Sequence, residues 1–133
     1  MFLRVLHDTN VWIDWLRKRA RSELLTGPGF IREVSSVVLM ELRAGARSRE
    51  DRRTIAALAK APRLIVPTAD MWLELGGALF ELRRRGFDVT SASFVNDVLI
   101  AISCRHTGAQ LLTANAADFE AIARVIDFRF RIV

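Results

Sequence analysis

Residues 2–16 read FLRVLHDTNVWIDWL, and the fold is predicted from this stretch outward. The apolar run at its start is short and rich in β-formers, which predicts a buried strand. Thr9 and Asn10 can cap a helix that begins at once with Val11. Asp8 therefore stands at the carboxyl end of a strand, and in open α/β sheets this is the edge where ligands bind.

The composition is that of a globular protein. The chain has 133 residues, of which 51% are hydrophobic and 26% charged, and we expect one domain, residues 1–133, with a buried core. The sequence starts without a secretory leader, and its apolar runs are too short to cross a bilayer, so we expect a cytoplasmic protein without membrane contact. Cys104 is the only cysteine. This excludes an intrachain disulfide and a cysteine-based zinc site, so any metal must use oxygen ligands.

The net charge of +5 is carried mainly by arginine. Of the 20 basic residues only Lys18 and Lys60 are lysines. Arginine binds phosphate in a bidentate way and stacks on bases, so the bias is compatible with a nucleic-acid partner. The arginine codons of a GC-rich genome explain the bias equally well. The net charge alone therefore does not show whether the chain binds nucleic acid.

Strands and helices alternate along the rest of the chain. Short strands are predicted at 31–36, 64–66, 110–113 and 128–133. Helices are predicted at 37–46, within 47–60, from Thr68 to Arg85, from Ser91 or Ser93 to His106, and after Asn115; the first helix should end in the basic run 17–21. The alternation predicts an α/β fold, with a central parallel sheet of about four to five strands and helices on both faces.

The long helix after Thr68 carries apolar residues at helical spacing. We interpret them as core or subunit interface rather than as a cofactor site. These residues are Met71, Trp72, Leu75, Leu79 and Leu82. His106, near the end of the next helix, is expected to complement the helix dipole rather than to bind metal, and Cys104 to be a small buried residue.

Four acidic residues follow strand ends or lie near helix starts that should face one edge of the sheet. They are Asp8, Glu41, Asp97 and Asp118. Four carboxylates in one cleft repel one another, and no lysine or histidine stands beside them in sequence to neutralise them. Mg²⁺ or Mn²⁺ would do so, since both prefer carboxylate oxygens. Such a site activates water and stabilises charge on a phosphodiester, so the pattern predicts phosphodiester hydrolysis.

The motifs around these acids resemble those of a known family. They are DTN at 8–10, ELRAG at 41–45, ND at 96–97 followed by LIA at 99–101, and TANAADF at 113–119. Each motif is weak alone, but the four in this order and spacing are similar to PIN-domain ribonucleases of the VapC toxin family, which belong to type II toxin–antitoxin systems. The resemblance covers essentially the whole chain.

The resemblance implies a PIN-like three-layer fold and an endoribonuclease that needs Mg²⁺ or Mn²⁺ and cleaves RNA. By it, Asp8, Glu41, Asp97 and Asp118 are the catalytic, metal-binding acids. Thr113 and Asn115 would orient water or the scissile phosphate, and Asn10 would support Asp8. The family also implies a homodimer and a cognate VapB-like antitoxin that occludes the cleft.

Two other functions remain open at this point. An aspartyl-phosphate phosphatase or receiver-like domain would use Asp8 as a nucleophile, but such proteins usually have a further acid two residues on and a lysine after a later strand. Here Asn10 and the segment 113–115, Thr-Ala-Asn, occupy those places. A non-catalytic PIN-like module would bind RNA or protein through its arginines, without metal, and cleave nothing.

Overall fold

Five strands and seven helices alternate along residues 3–19 and 22–133, the parts of the chain that the computed structural model describes. The strands are β1 (Leu3–His7), β2 (Phe30–Ser35), β3 (Leu64–Ile65), β4 (Gln110–Thr113) and β5 (Phe130–Ile132). The helices are α1 (Thr9–Lys18), α2 (Ser22–Leu25), α3 (Ser36–Ala44), α4 (Arg49–Leu58), α5 (Ala69–Arg84), α6 (Ala92–Thr107) and α7 (Ala116–Ile122).

The strands form one parallel sheet in the order β3-β2-β1-β4-β5. The strand β1 is central, since Leu6 pairs with Glu33 of β2 on one side and with Leu111 of β4 on the other. The chain runs outward from β1 to β3 and then returns to the other side of β1. The strand order therefore reverses between β1 and β4, and their carboxyl ends flank the point where α/β sheets bind ligands.

Helices cover both faces of the sheet. Because the chain moves in opposite directions before and after β3, right-handed crossovers place α1–α4 on one face and α5–α7 on the other. The helix α3 packs against α1 and α4, while α6 packs against α5 and α7. Most of α6 is buried, from Val98 to Cys104, and Asp97 lies where this buried stretch begins. The predicted three-layer α/β fold is confirmed.

Local details differ from the prediction at the first two helices. Asp8 itself caps α1, because its carboxylate accepts from the N–H of Thr9 at 2.8 Å, so the expected cap at Thr9 or Asn10 is wrong by one residue or more. The short helix α2 was not predicted, because four residues carry no readable periodicity. The predicted start of the first strand at Phe2 and the end of the basic run, residues 20–21, lie outside the described residues. Among those that are described, no helix is long and apolar enough to cross a membrane.

Candidate active site

Asp8 lies at the carboxyl end of β1 and is buried, with an exposed fraction of 3%. Its N–H donates to the carbonyl of Leu112 at 2.9 Å, which ties it to β4. Its Oδ2 accepts from the hydroxyl of Thr113 at 2.7 Å and from the amide of Asn10 at 3.1 Å. The carboxylate thus connects the two strands that flank the reversal of strand order.

Thr113 and Asn10 also fix the chain that leaves β4. The Thr113 oxygen accepts from the N–H of Asn115 at 3.0 Å, and the Asn10 side-chain oxygen accepts from the N–H of Ala114 at 3.1 Å. Thr113 is fully buried. Both residues therefore lie beside Asp8, whereas the resemblance implied contact with Asp8 for Asn10 and the orientation of water or phosphate for Thr113.

Asn115 connects Asp97 with Asp118. Its amide nitrogen donates to Asp118 Oδ2 at 3.0 Å and is 3.3 Å from Asp97 Oδ2. The same side chain caps α7, because its oxygen accepts from the N–H of Asp118 at 3.3 Å. Asp97 comes from the second turn of α6, a helix that Ser91 caps. One amide thus holds carboxylates from two helices side by side.

Glu41 joins the group from α3, whose start Ser35 caps. Its Oε1 accepts from the hydroxyl of Thr9 at 2.7 Å, and its Oε2 is 3.4 Å from the amide of Asn96. These positions of Thr9 and Asn96 beside Glu41 were not predicted. The sequence could have identified both as site residues, because each is next to a predicted acid: Thr9 follows Asp8 and Asn96 precedes Asp97.

Two of the acids, Asp8 and Asp97, have raised pKa values. Burial, followed by the negative charge of Asp8 and the adjacent Asp118, raises the pKa of Asp97 to about 9. Glu41 adds to this shift. Burial also raises the pKa of Asp8, against the hydrogen bonds from Thr113 and Thr9 that favour its ionised form. Among the groups that shift these two pKa values there is no basic side chain. The other three predicted acids therefore all lie within electrostatic reach of Asp97.

The side chains as they lie form a hydrogen-bonded cluster rather than a coordination shell. Within residues 3–19 and 22–133, no three His, Cys, Asp or Glu side chains are already arranged to hold one metal ion. The chemistry of the donor set still fits a hard divalent cation, because four carboxylates converge and no basic side chain is among the groups that shift the pKa values of Asp8 and Asp97.

His7 and His106 do not supply that positive charge. His7 is buried next to Asp8, its Nε2 is bonded to the carbonyl of Leu24, and its Nδ1 has no partner. Burial lowers the pKa of His7 to about 4, so the ring is neutral at physiological pH. His106 lies in the last turn of α6, as predicted, and its Nε2 is 3.0 Å from Glu74. Cys104 is buried, also as predicted.

A groove of about 570 Å³ lies between α3 and α4. Leu39, Met40, Ile55, Ala56 and Ala59 supply its apolar lining, and Arg43, Arg49, Arg52 and Arg53 also line it. Glu41 does not line it, because Ser36, Leu39, Met40 and Arg43 share one side of α3 and Glu41 lies on the other side of that helix. The groove therefore combines an apolar surface with a high density of positive charge.

Comparison with known proteins agrees with this architecture. A profile of the PIN domain matches residues 5–125, whereas a search of curated proteins found no significant match. Among solved structures, VapBC-1 from nontypeable Haemophilus influenzae is 22% identical, with a TM-score of 0.74 and 98% of both chains covered. VapBC2 from Rickettsia felis, bound to a DNA fragment from its promoter, is 22% identical over 98% of this chain and 99% of that one, with a TM-score of 0.73. VapBC-5 from Mycobacterium tuberculosis is 20% identical, with a TM-score of 0.66 and 98% of both chains covered.

These similarities establish the fold, and the chemistry has to be argued from the site. The matched segment, residues 5–125, contains all four acids and every side chain that hydrogen-bonds to them. The chain belongs to the PIN-domain family.

Proposed function

We propose that the chain is an endoribonuclease that depends on Mg²⁺ or Mn²⁺ and acts as the toxin of a type II toxin–antitoxin pair. One observation carries the proposal: carboxylates from four distant segments meet where the strand order reverses, and the pKa of Asp97 rises to about 9. Such a cluster needs protons or a cation for its stability. In the proposed nuclease a divalent cation, rather than protons, balances the charge of the cluster.

Asp8, Glu41, Asp97 and Asp118 are the proposed metal ligands. The fit rests on the chemistry of the donor set rather than on a preformed coordination geometry. When bound, a divalent cation lowers the pKa of water and offsets the charge that develops on a phosphodiester.

The surrounding polar side chains orient these ligands. Thr113 and Asn10 donate to Asp8 and so favour its ionised form. Asn115 holds Asp97 beside Asp118, and Thr9 holds Glu41. These donors act as the outer shell that fixes ligand geometry in metal sites.

We propose that an ionised carboxylate of the cluster takes up the proton of the attacking water. Water then attacks the phosphorus directly, and no covalent enzyme intermediate forms. Single-stranded or looped RNA is the proposed substrate, because its backbone and bases are accessible.

A VapB-like antitoxin is the proposed protein partner. The solved structures of similar fold are VapBC assemblies, and one of them is described as a member of a toxin–antitoxin family. In this chain the groove between α3 and α4 suits an acidic amphipathic segment, because its lining is apolar and rich in arginine.

The decisive experiment incubates the purified chain with total cellular RNA in Mg²⁺, in Mn²⁺ and in chelator. Discrete fragments that require metal, and that vanish in Asp97→Asn, are expected. Asp127→Asn is the matched control, since Asp127 is exposed and precedes β5 at the opposite edge of the sheet. Intact RNA under every condition, from folded protein free of any partner, would contradict the nuclease and favour a binding module.

Metal binding has a separate readout. Titration calorimetry with Mn²⁺ should show binding to the chain and to Asp127→Asn, with at least tenfold weaker binding to Asp97→Asn. Binding should release protons at pH 7.5, because the pKa of Asp97 lies above that pH. Equal Mn²⁺ affinity in all three proteins would remove the acid cluster as the metal site.

A further inference from the structure

The positive charge of the groove between α3 and α4 is not neutralised within the described parts of the chain. Four exposed arginines line the groove, and none of them forms an ion pair with a described residue: Arg43, Arg49, Arg52 and Arg53. The acids of α4 point away from it, since Asp51 pairs with Arg17 at 3.0 Å and Glu50 with Arg19 at 3.1 Å. The groove is therefore a surface that an anionic ligand would neutralise.

The arginines of α4 suit a chain of phosphates. Arg49, Arg52 and Arg53 are three and four residues apart and so lie on one side of the helix, with neighbouring Cβ atoms about 5–6 Å apart. Each guanidinium can bind a phosphate through two N–H groups. Apolar side chains lie beside them in the same groove, among them Met40 and Ala56. A single strand of nucleic acid offers both a charged backbone and bases with apolar faces.

The groove begins at the edge of the sheet that carries the acids. Ser36, the first residue of α3, lines the groove and directly follows β2, which pairs with the strand that leads to Asp8. Farther along α3, Glu41 and Met40 are about 100° apart around the helix axis, which corresponds to about 10 Å along its surface. Met40 is 50% exposed, so this passage is open to solvent. Two or three nucleotides of a single strand span such a distance.

We propose that the groove between α3 and α4 binds the single-stranded part of the RNA substrate next to the scissile phosphate. The strand leaves the acids, crosses the exposed side of α3 at Met40, and places its phosphates on the arginines and its bases on the apolar lining. The inference rests on the proposed function, because it takes RNA as the substrate. The proposed antitoxin segment and the RNA would then compete for the same groove.

RNA binding without cleavage tests the groove. The probe is a fluorescein-labelled oligouridylate of about 12 nucleotides, and its anisotropy is measured with the full chain in chelator. Ala56→Glu should weaken binding at least tenfold, because it adds a negative charge beside Arg52 and Arg53. Ala57→Glu is the matched control, since Ala57 is also exposed in α4 but is not part of the groove lining, and it should bind as the wild type does.

The salt dependence of binding counts the phosphate contacts. Each contact with a single strand adds about 0.7 to the slope of log affinity against log salt concentration. Replacing Arg49, Arg52 and Arg53 together by glutamine should therefore make this slope less steep by about 2. Arg105→Gln removes one exposed arginine in the last turn of α6, on the other face of the sheet, and should leave the slope unchanged. An unchanged slope in the triple variant would overturn the proposal.

Cleavage kinetics in metal separate this inference from the nuclease itself. Ala56→Glu should raise KM at least tenfold and change kcat by no more than about twofold, because the groove contributes binding and not chemistry. If Ala56→Glu binds and cleaves RNA as Ala57→Glu does, the groove inference is overturned while the nuclease stands, and the groove is left to the protein partner. If RNA stays intact in metal but binding in chelator still depends on Ala56, the nuclease is contradicted and the groove inference stands.

Discussion

The hydroxyl of Thr113 donates a 2.7 Å hydrogen bond to Asp8 Oδ2, although the two residues are 105 positions apart in the chain. They meet because β1 and β4 are neighbours and both end at the same edge of the sheet. The bond lies between the first and last of the four sequence motifs, and it stabilises the ionised form of a buried carboxylate. The fold and the proposed chemistry therefore depend on the same contact.

Replacing Thr113 by valine keeps the shape of the side chain and removes its hydroxyl. Asp8 then loses a donor and the N–H of Asn115 loses an acceptor, so we expect the free energy of unfolding to fall by about 1–3 kcal/mol. Urea denaturation measures this loss. Thr113→Ser retains the hydroxyl and is the control. A valine variant as stable as the wild type would show that the bond is not structurally important.

Asp97→Asn should stabilise the metal-free protein at neutral and basic pH. The pKa of Asp97 is about 9 in the folded state and near 3.8 in the unfolded chain, so the folded state binds more protons between these values. The unfolding free energy of the wild type therefore falls as pH rises from about 4 to about 9. The asparagine variant lacks this contribution and should be about 1–3 kcal/mol more stable at pH 8 in chelator. Parallel pH profiles for the two proteins would contradict the raised pKa.

His7 should make the protein sensitive to acid. Its pKa is about 4 when folded and 6.5 when unfolded, so the unfolded chain binds the extra proton and stability falls as pH drops through this range. The full difference corresponds to about 3 kcal/mol. Because the stability contributed by Asp97 changes with pH in the opposite direction, the comparison to make is wild type against His7→Gln at each pH. The difference in unfolding free energy between the two should change as pH falls from about 7 to about 4, and a constant difference would contradict the lowered pKa of His7.

Thr9→Val should reduce RNA cleavage with little effect on folding. The hydroxyl of Thr9 holds Glu41 at 2.7 Å, and the loss of an outer-shell partner typically costs 10- to 100-fold in metal affinity or activity. Thr9 is only half-buried, so the change in unfolding free energy should stay within about 1 kcal/mol. Thr9→Ser should retain activity. Equal cleavage rates in wild type and valine variant would show that Glu41 does not depend on Thr9.

The sequence was sufficient to predict the strands, the long helices and the meeting of the acids. Short apolar runs followed by capping residues define strand–helix units, and right-handed parallel connections allow few arrangements of them. Asp8 and Asp118 each lie near a junction of strand and helix, so any such sheet brings them to one edge. The helix boundaries were less certain, as the cap of α1 shows, because neighbouring polar residues can each accept the first N–H groups.

Tertiary structure decided which polar side chain serves which acid. Thr9 donates to Glu41 and Asn115 lies between Asp97 and Asp118, and these contacts depend on the relative position of separate helices, which local sequence does not encode. It also divided the apolar residues of α5, since Met71 is buried and Trp72 beside it is exposed. Helical periodicity reports that a side is apolar but not what covers it. The order of residues along the chain is thus enough to predict the sheet and its acidic edge, whereas the packing of separate elements decides the hydrogen bonds at that edge and which apolar residues of α5 are exposed.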